Sequence, residues 1–152
     1  VGEGINGTIK RMANRPRPYQ QLTGIRRVDR SGVQISIPGP VEKGRSMPSS
    51  HVANNAAFAF MAGAIFGWRG RLVWIVVVLI AYSRIYIGSH FPSDVVAALL
   101  LALGYSSALA WAAQRLWRFS GPRWMGAVYD KHPNLFPNPT VLAPVNRLTA
   151  KA

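Results

Sequence analysis

The chain has 152 residues, and its 18 Lys and Arg outnumber its 5 Asp and Glu, which gives a formal net charge of +13. Hydrophobic residues make up 49% of it, which excludes a disordered basic tail because such tails lack the apolar residues of a core. The absence of cysteine excludes a small secreted domain held together by disulfide bonds. A chain both basic and apolar suggests a nucleic acid, or a membrane that contains phosphorylated lipid, as its partner.

The distribution of the basic residues favours a membrane over a nucleic acid. Residues 1–50 hold nine of them, whereas residues 52–113 hold only Arg69, Arg71 and Arg84. A nucleic-acid-binding module typically spreads its charge over a polar fold, so we expect no nucleic-acid partner. The chain starts at Val1 rather than Met, and we expect it to be processed, trimmed or an excerpt of a longer protein.

The N-terminal third reads as polar and irregular. Residues 1–9 are rich in glycine and predict weak structure, and the prolines that follow residues 10–15 should end any helix near Asn14 or Arg15. Residues 19–47 form a long polar loop that predicts a short two-stranded excursion, which ends at Pro38-Gly39-Pro40. A loop of this length is unusual unless it is functional.

Three apolar segments follow, at about residues 51–67, 71–88 and 94–113. Each predicts a helix about 25–30 Å long, close to the hydrocarbon thickness of a bilayer. The fold class expected is therefore all-α: an integral-membrane bundle with three transmembrane helices in one domain over residues 1–113. Residues 114–152 predict an interfacial and irregular tail, because aromatic and basic residues stand together there. A soluble bundle with fully buried helices is the alternative.

This topology should collect three polar clusters at one end of the bundle, on one membrane face. The short turn at residues 68–70 makes the first two segments antiparallel, so that residues 10–17, 48–51 and 84–94 converge. Two helices begin at that end, and helix N-termini favour anions because their N–H groups and dipoles point outward.

The convergent residues combine cations, hydroxyl groups, histidines and one carboxylate: Lys10, Arg17, Ser49, Ser50, His51, Arg84, His90 and Asp94. Cations and hydroxyl groups suit a phosphate-sized anion, and histidines add proton transfer or nucleophilic attack. Asp94 follows His90 by four residues, which predicts a hydrogen bond that would fix the tautomer of the ring. Two histidines and an aspartate also suit Zn²⁺, but the surrounding cations favour an anion, and we expect no metal and no cofactor.

The same residues stand at the spacings of a three-part signature. It reads Lys, six residues, Arg-Pro at 10–18; Pro-Ser-Ser-His at 48–51; and Ser-Arg, five residues, His, three residues, Asp at 83–94. With all three parts in order, the chain resembles the type 2 phosphatidic acid phosphatase superfamily, and among its members the bacterial undecaprenyl-diphosphatase-like membrane enzymes. Ser50 stands where that family usually has glycine, and it keeps the backbone N–H that would meet a phosphate.

The resemblance implies a phosphatase domain over residues 1–113, with the loop at 10–50, that acts on a phosphorylated membrane lipid without a metal. His90 would attack phosphorus and form a phosphohistidine, Asp94 would orient His90, and His51 would exchange protons with the leaving group and water. The remaining signature residues would bind the phosphate: Lys10, Arg17, Ser49, Ser50 and Arg84. Undecaprenyl diphosphate is favoured because the chain is compact and its loop basic; phosphatidylglycerol phosphate and phosphatidic acid are alternatives.

Two other classes of function stay open. A soluble relative would be an acid phosphatase or a vanadium-dependent haloperoxidase, which holds vanadate on the equivalent of His90, but the nearly uncharged segment 95–113 speaks against solubility. A non-enzymatic phospholipid-binding module is disfavoured because every signature histidine is present. The resemblance further implies a bacterial inner membrane, with the site facing the periplasm or the exterior. The sequence predicts no oligomeric state.

Overall fold

Helices make up most of the chain, as the sequence predicts. The computed structural model describes residues 2–29, 31–39 and 44–136. The helices are α1 (Gly2–Ala13), α2 (Pro18–Gln21), α3 (Ser50–Phe66), α4 (Trp68–Arg71), α5 (Val73–Tyr86), α6 (Pro92–Trp124) and α7 (Gly126–Lys131), and the strands are β1 (Arg26–Asp29) and β2 (Gly32–Ile35).

The N-terminal segment is helical, so the expectation of weak structure over residues 1–9 is wrong. Helix α1 begins at Gly2 and packs on α3, and this tertiary contact outweighs the low helix propensity of its glycines. The helix ends at Ala13, as predicted, because Pro16 and Pro18 cannot continue it. Asn14 follows with a positive φ of 39°, a conformation that asparagine tolerates after a helix.

The predicted two-stranded excursion is confirmed and lies against the loop that leaves α5. Strands β1 and β2 pair antiparallel, with Val28 opposite Val33. The Tyr19 N–H donates to the Gly88 carbonyl at 3.3 Å, and the Ile25 side chain leaves no room for a Cβ at Gly88, whose φ is +65°. The hairpin therefore supports the short loop between α5 and α6.

Helix α3 is the centre of the core and packs on α4, α5 and α6. Its buried positions, Val52, Ala53, Ala56 and Ala59, meet Val77 of α5 and Val95, Ala98 and Ala102 of α6. The small side chains at these positions allow the helices to approach closely. The backbone of α4 also lies close to α3, because a Cβ at Gly70 would overlap the Ala62 carbonyl. Helices α3 and α5 are thus antiparallel, and α3 packs along α6 from Val95 to Ala110.

Among the described residues, α6 is the one helix long and apolar enough to cross a membrane. Helices α3 and α5 have 17 and 14 residues, fewer than the roughly 20 that a span usually needs. Three transmembrane helices therefore stay a prediction.

The C-terminal part of α6 differs from the expectation drawn from the sequence. The third helix was expected to end near residue 113, but α6 continues to Trp124, and α7 follows. Residues 114–124 are therefore helical rather than irregular, because Gln114 is buried and its Oε1 accepts the Leu135 N–H at 2.9 Å. Trp117 also packs against Tyr129 of α7. Residues 137–152 of the expected tail lie outside the described residues.

Candidate active site

The segments that carry the three parts of the signature meet where α3 and α6 begin. The Ser49 N–H donates to the Asp94 carbonyl at 3.3 Å, and this bond joins the second part to the third. The Ser46 N–H donates to the Arg15 carbonyl at 2.9 Å, which joins the loop before α3 to the first part. In this structure residues 10–17, 48–51 and 84–94 are therefore joined, and their position on one membrane face stays a prediction.

Three cations act on the two signature histidines. The charges of Arg84, Lys10 and Arg17 all reach His51, and those of Arg17 and Lys10 also reach His90. His51 is exposed in the first turn of α3, whereas His90 is buried in the loop before α6. The sequence-predicted cations and histidines are thus brought together, with one histidine open to solvent and the other enclosed.

The N-terminus of α3 faces this cluster of charges. Ser49 precedes the helix, and its carbonyl accepts the first helical hydrogen bond from Ala53 at 2.9 Å. The N–H groups of Ser50 and His51 have no acceptor within the helix, as in any first turn. A helix N-terminus next to cations is a favourable place for an anion, and Ser50 offers its N–H there as the glycine of the signature would.

Three buried polar atoms of the site make no hydrogen bond among the described residues. They are Ser49 Oγ, Arg84 Nε and His90 Nδ1. A buried polar atom without a partner costs about 1–3 kcal/mol, so such atoms usually mark a place where a ligand or water completes the bonding. The oxygens of a phosphate group would accept from both Ser49 and Arg84.

His90 is held in its neutral form. Its side chain is 4% exposed, and burial, with the charge of Arg17 as the next cause, lowers its pKa from 6.5 to about 4. A hydrogen bond with the Ser46 backbone and the charge of Asp94 oppose this shift, and Lys10 adds to it. The imidazole therefore keeps a free lone pair at neutral pH, which is what a nucleophile needs.

The carboxylate of Asp94 is fully buried and surrounded by donors. Oδ1 accepts from Arg15 Nη1 at 2.7 Å, and Oδ2 accepts from Ser46 Oγ at 2.5 Å and from the Phe91 N–H at 2.9 Å. His90 Nδ1 lies 3.8 Å from Oδ2, too far for a hydrogen bond. The expected His90–Asp94 hydrogen bond is therefore absent from this structure, because other donors occupy the carboxylate.

Arg15 and Ser46 are the residues of this site that the sequence analysis missed. Arg15 lies inside the six-residue spacer of the first signature part, where it is one cation of a basic run, and Ser46 lies in the loop two residues before Pro48. No sequence pattern near either residue indicates a contact with Asp94, because each contact joins residues more than 45 positions apart in the chain.

No metal site is evident in the part of the chain that the structure describes. No group of three His, Asp or Glu side chains lies close enough there to share an ion. The absence of a metal from the reaction stays a prediction.

An apolar groove of about 580 Å³ runs between α1 and α6. Its walls are formed by Ile5, Ile9, Met47, Ala97, Leu100, Leu101, Gly104 and Tyr105. Three of these residues are close in sequence to site residues: Ile9 precedes Lys10, Met47 stands two residues before Ser49, and Ala97 is three residues after Asp94. One end of the groove therefore lies beside the candidate site.

Comparison with known proteins agrees with the signature. Residues 1–119 match the PAP2 superfamily. Lipid A 4'-phosphatase of Porphyromonas gingivalis is 31% identical over 90 residues, which are 57% of this chain and 36% of that protein. Phosphatidylglycerophosphatase B of Escherichia coli is 25% identical over 146 residues, 76% of this chain and 58% of that protein. Decaprenylphosphoryl-5-phosphoribose phosphatase of Mycobacterium tuberculosis is 33% identical over 104 residues, 68% and 50% of the two chains.

The chain spans between about a third and three fifths of the length of these relatives. No solved structure matches it significantly.

Proposed function

Because the chain belongs to the PAP2 superfamily, we propose that it is a phosphatase that hydrolyses the phosphate monoester or diphosphate of a membrane lipid without a metal. The observation that carries this proposal is the site itself. A buried neutral imidazole stands among fixed cations beside a helix N-terminus, and His51 is exposed next to it. Such a site can bind a phosphate dianion and attack its phosphorus.

The reaction proceeds in two displacements at phosphorus. In the first, the lone pair of His90 forms a P–N bond, the bond from phosphorus to the leaving oxygen breaks, and His51 gives that oxygen a proton. In the second, His51 takes a proton from water, the water oxygen bonds to phosphorus, and the P–N bond breaks to release phosphate and restore His90. The buried carboxylate of Asp94, 3.8 Å from the ring, offsets the positive charge that His90 carries in the phosphohistidine.

The phosphate oxygens are held by donors from all three signature parts. Lys10, Arg17 and Arg84 supply positive charge, and Ser49 Oγ and the Ser50 N–H supply hydrogen bonds. Fixed donors of this kind stabilise the charge that builds on the equatorial oxygens in the transition state. They also reduce the repulsion between an incoming imidazole and an anionic phosphorus centre.

Two observations support a lipid as the substrate. The apolar groove between α1 and α6 ends beside the site, and it suits the hydrocarbon chain of a substrate whose phosphate lies among the cations. Helix α5 is apolar from Val73 to Ala81, yet Val77 is its one buried residue, and side chains such as Ile75 and Leu79 are about 60% exposed. Exposed apolar surface on this scale favours a membrane around the helices. We place the protein in a bacterial inner membrane, with its site on the outer face.

Within the lipid phosphates, we favour undecaprenyl diphosphate. The hairpin that contacts the loop before α6 carries two arginines. Arg26 Nη1 donates to Tyr86 Oη at 3.3 Å, and the Arg27 guanidinium lies 4.6 Å from the centre of the Tyr19 ring. Arg27 and Arg17, one of the phosphate-binding residues, both lie near the Tyr19 ring, so the cations of the hairpin suit a second phosphate group. Phosphatidylglycerol phosphate and phosphatidic acid are the alternatives, and the named relatives act on several different lipid phosphates.

Phosphate release in detergent with EDTA tests the proposal. Undecaprenyl diphosphate, phosphatidylglycerol phosphate and phosphatidic acid are offered to the wild-type chain and to His90→Ala. We expect release by the wild type from at least one lipid, with undecaprenyl diphosphate fastest, and none by the variant. Equal release by both proteins would refute the assignment of His90. No release by the wild type, with vanadate-dependent halide oxidation instead, would favour the haloperoxidase chemistry.

The groove is tested by filling it at Gly104. A side chain there meets no atom within 4 Å, and leucine has a higher helix propensity than glycine by almost 1 kcal/mol, so Gly104→Leu should fold at least as well as the wild type. We expect a several-fold higher KM for long-chain lipid phosphates and no change for a short, water-soluble phosphate ester. Equal effects on both substrates would contradict the assignment of the groove to the lipid chain.

A further inference from the structure

Arg15 is fixed at both of its ends. Its carbonyl accepts the Ser46 N–H at 2.9 Å, and Gly44 packs so closely on this backbone that a Cβ there would overlap it. Its guanidinium lies 4.3 Å from the centre of the Phe91 ring. Nη1 donates to Asp94 Oδ1 and to Ser93 Oγ, each at 2.7 Å. Such a side chain is held in one place rather than available to follow a substrate.

Ser46 contacts both members of the His90–Asp94 pair. Its hydroxyl donates to Asp94 Oδ2 at 2.5 Å, and its backbone is hydrogen-bonded to His90. The residue is fully buried. Since its own N–H donates to the Arg15 carbonyl, Arg15 and Ser46 form one unit, and both side chains donate to the Asp94 carboxylate.

We infer that Arg15 and Ser46 are positioning residues that hold the Asp94 carboxylate 3.8 Å from His90, where it meets the positive charge that the ring gains on attack. This inference rests on the proposed function, in which His90 is the nucleophile. In the resting site the guanidinium forms an ion pair with the carboxylate at 2.7 Å. When the phosphohistidine forms, its positive ring meets a carboxylate that is already placed and needs no rearrangement.

The charged groups that face His90 define the expected result. They are Asp94, Arg17 and Lys10, and Ser46 contributes its backbone. Without Arg15, the charge of Asp94 acts on the ring without its partner cation. An opposite charge at this distance raises the pKa of a histidine by about one to three units. Neutral His90 would then be scarcer at mildly acidic pH, and the acid limb of kcat/KM would move to higher pH with it.

The test is a double-mutant cycle on the full chain in detergent, with ¹⁵N-histidine NMR as readout. The chain has only three histidines, so the His90 signal is assigned by its loss in His90→Gln. Arg15→Gln should raise the midpoint of the His90 titration by about one pH unit or more and lower kcat about tenfold. In an Asp94→Asn background, the same substitution should change neither quantity, because an effect that acts through Asp94 is lost with it.

Arg11→Gln is the matched control, because it removes one exposed arginine from α1, four residues before Arg15, and should leave the titration unchanged. If Arg15→Gln does not fold, Ser46→Ala carries the same test. A titration that does not move, or that moves equally in the Asp94→Asn background, overturns the inference. Because the NMR titration needs no turnover, it tests Arg15 separately from the proposed phosphatase activity, whose failure would appear as absence of phosphate release by the wild type.

Discussion

Burial of His90 should make the stability of this protein depend on pH in a defined window. In the folded chain the pKa of His90 is lowered from 6.5 to about 4, chiefly by burial, whereas the unfolded chain keeps the ordinary value. Between pH 6.5 and 4 the unfolded state therefore binds a proton that the folded state does not. Because proton binding then favours the unfolded state, the free energy of unfolding falls as the pH decreases from 6.5 towards 4, and His90 does not lower it above pH 6.5.

The size of this loss follows from the two pKa values. Each unit of pKa difference corresponds to about 1.4 kcal/mol, so the difference between 6.5 and about 4 amounts to roughly 3 kcal/mol once the pH is below the folded-state value. The side chain is 4% exposed, so solvent screening reduces this figure little. For a domain whose unfolding free energy is typically about 5–15 kcal/mol, such a loss is large.

The free energy of unfolding is measured by guanidinium titration in a non-ionic detergent between pH 4 and 7.5, with fluorescence of the five tryptophans as the signal. His90→Gln removes the titrating ring, and the wild type should lose roughly 3 kcal/mol more than this variant across the range. His132→Gln, at an exposed position, should retain the wild-type slope. Parallel curves for wild type and His90→Gln would refute the reasoning, because they would show that His90 titrates alike in both states.

Three further substitutions test the site and the packing. Asp94→Asn should still bind phosphate or vanadate but lower kcat about 100-fold or more, as loss of a histidine-orienting carboxylate does; a near-normal kcat would mean that Asp94 only caps α6. Gly70→Ala places a Cβ on the Ala62 carbonyl and should destabilise the fold by about 2 kcal/mol or more. Gly104→Ala, which meets nothing within 4 Å, should stabilise it by about 0.5–1 kcal/mol. Equal shifts in thermal unfolding would contradict that contrast.

The helices and the signature residues of this protein could be predicted from its sequence. The apolar runs are long and nearly uninterrupted, so the positions of α3 and α5 follow from local hydrophobicity to within a few residues. The convergence of His51, Arg84 and His90 follows from connectivity, because the short turn at α4 makes α3 and α5 antiparallel. The hydrophobic pattern was less informative where tertiary contacts determine the extent of a helix. Helix α1 forms despite its glycines, and α6 continues to Trp124 because Gln114 and Trp117 hydrogen-bond to the residues that follow it.

The partners of Asp94 were decided by the tertiary structure. Its four-residue spacing from His90 allows a hydrogen bond, and a sequence pattern contains no competitor for that bond. The competitors, Arg15 and Ser46, lie 79 and 48 residues away along the chain and reach the carboxylate only because the loop before α3 folds back onto the end of α1. The groove beside Gly104 likewise exists only once the fold places α1 and α6 on its two sides. The sequence therefore determined which groups the candidate site contains, and the long-range packing determined which of them are neutral, buried or paired.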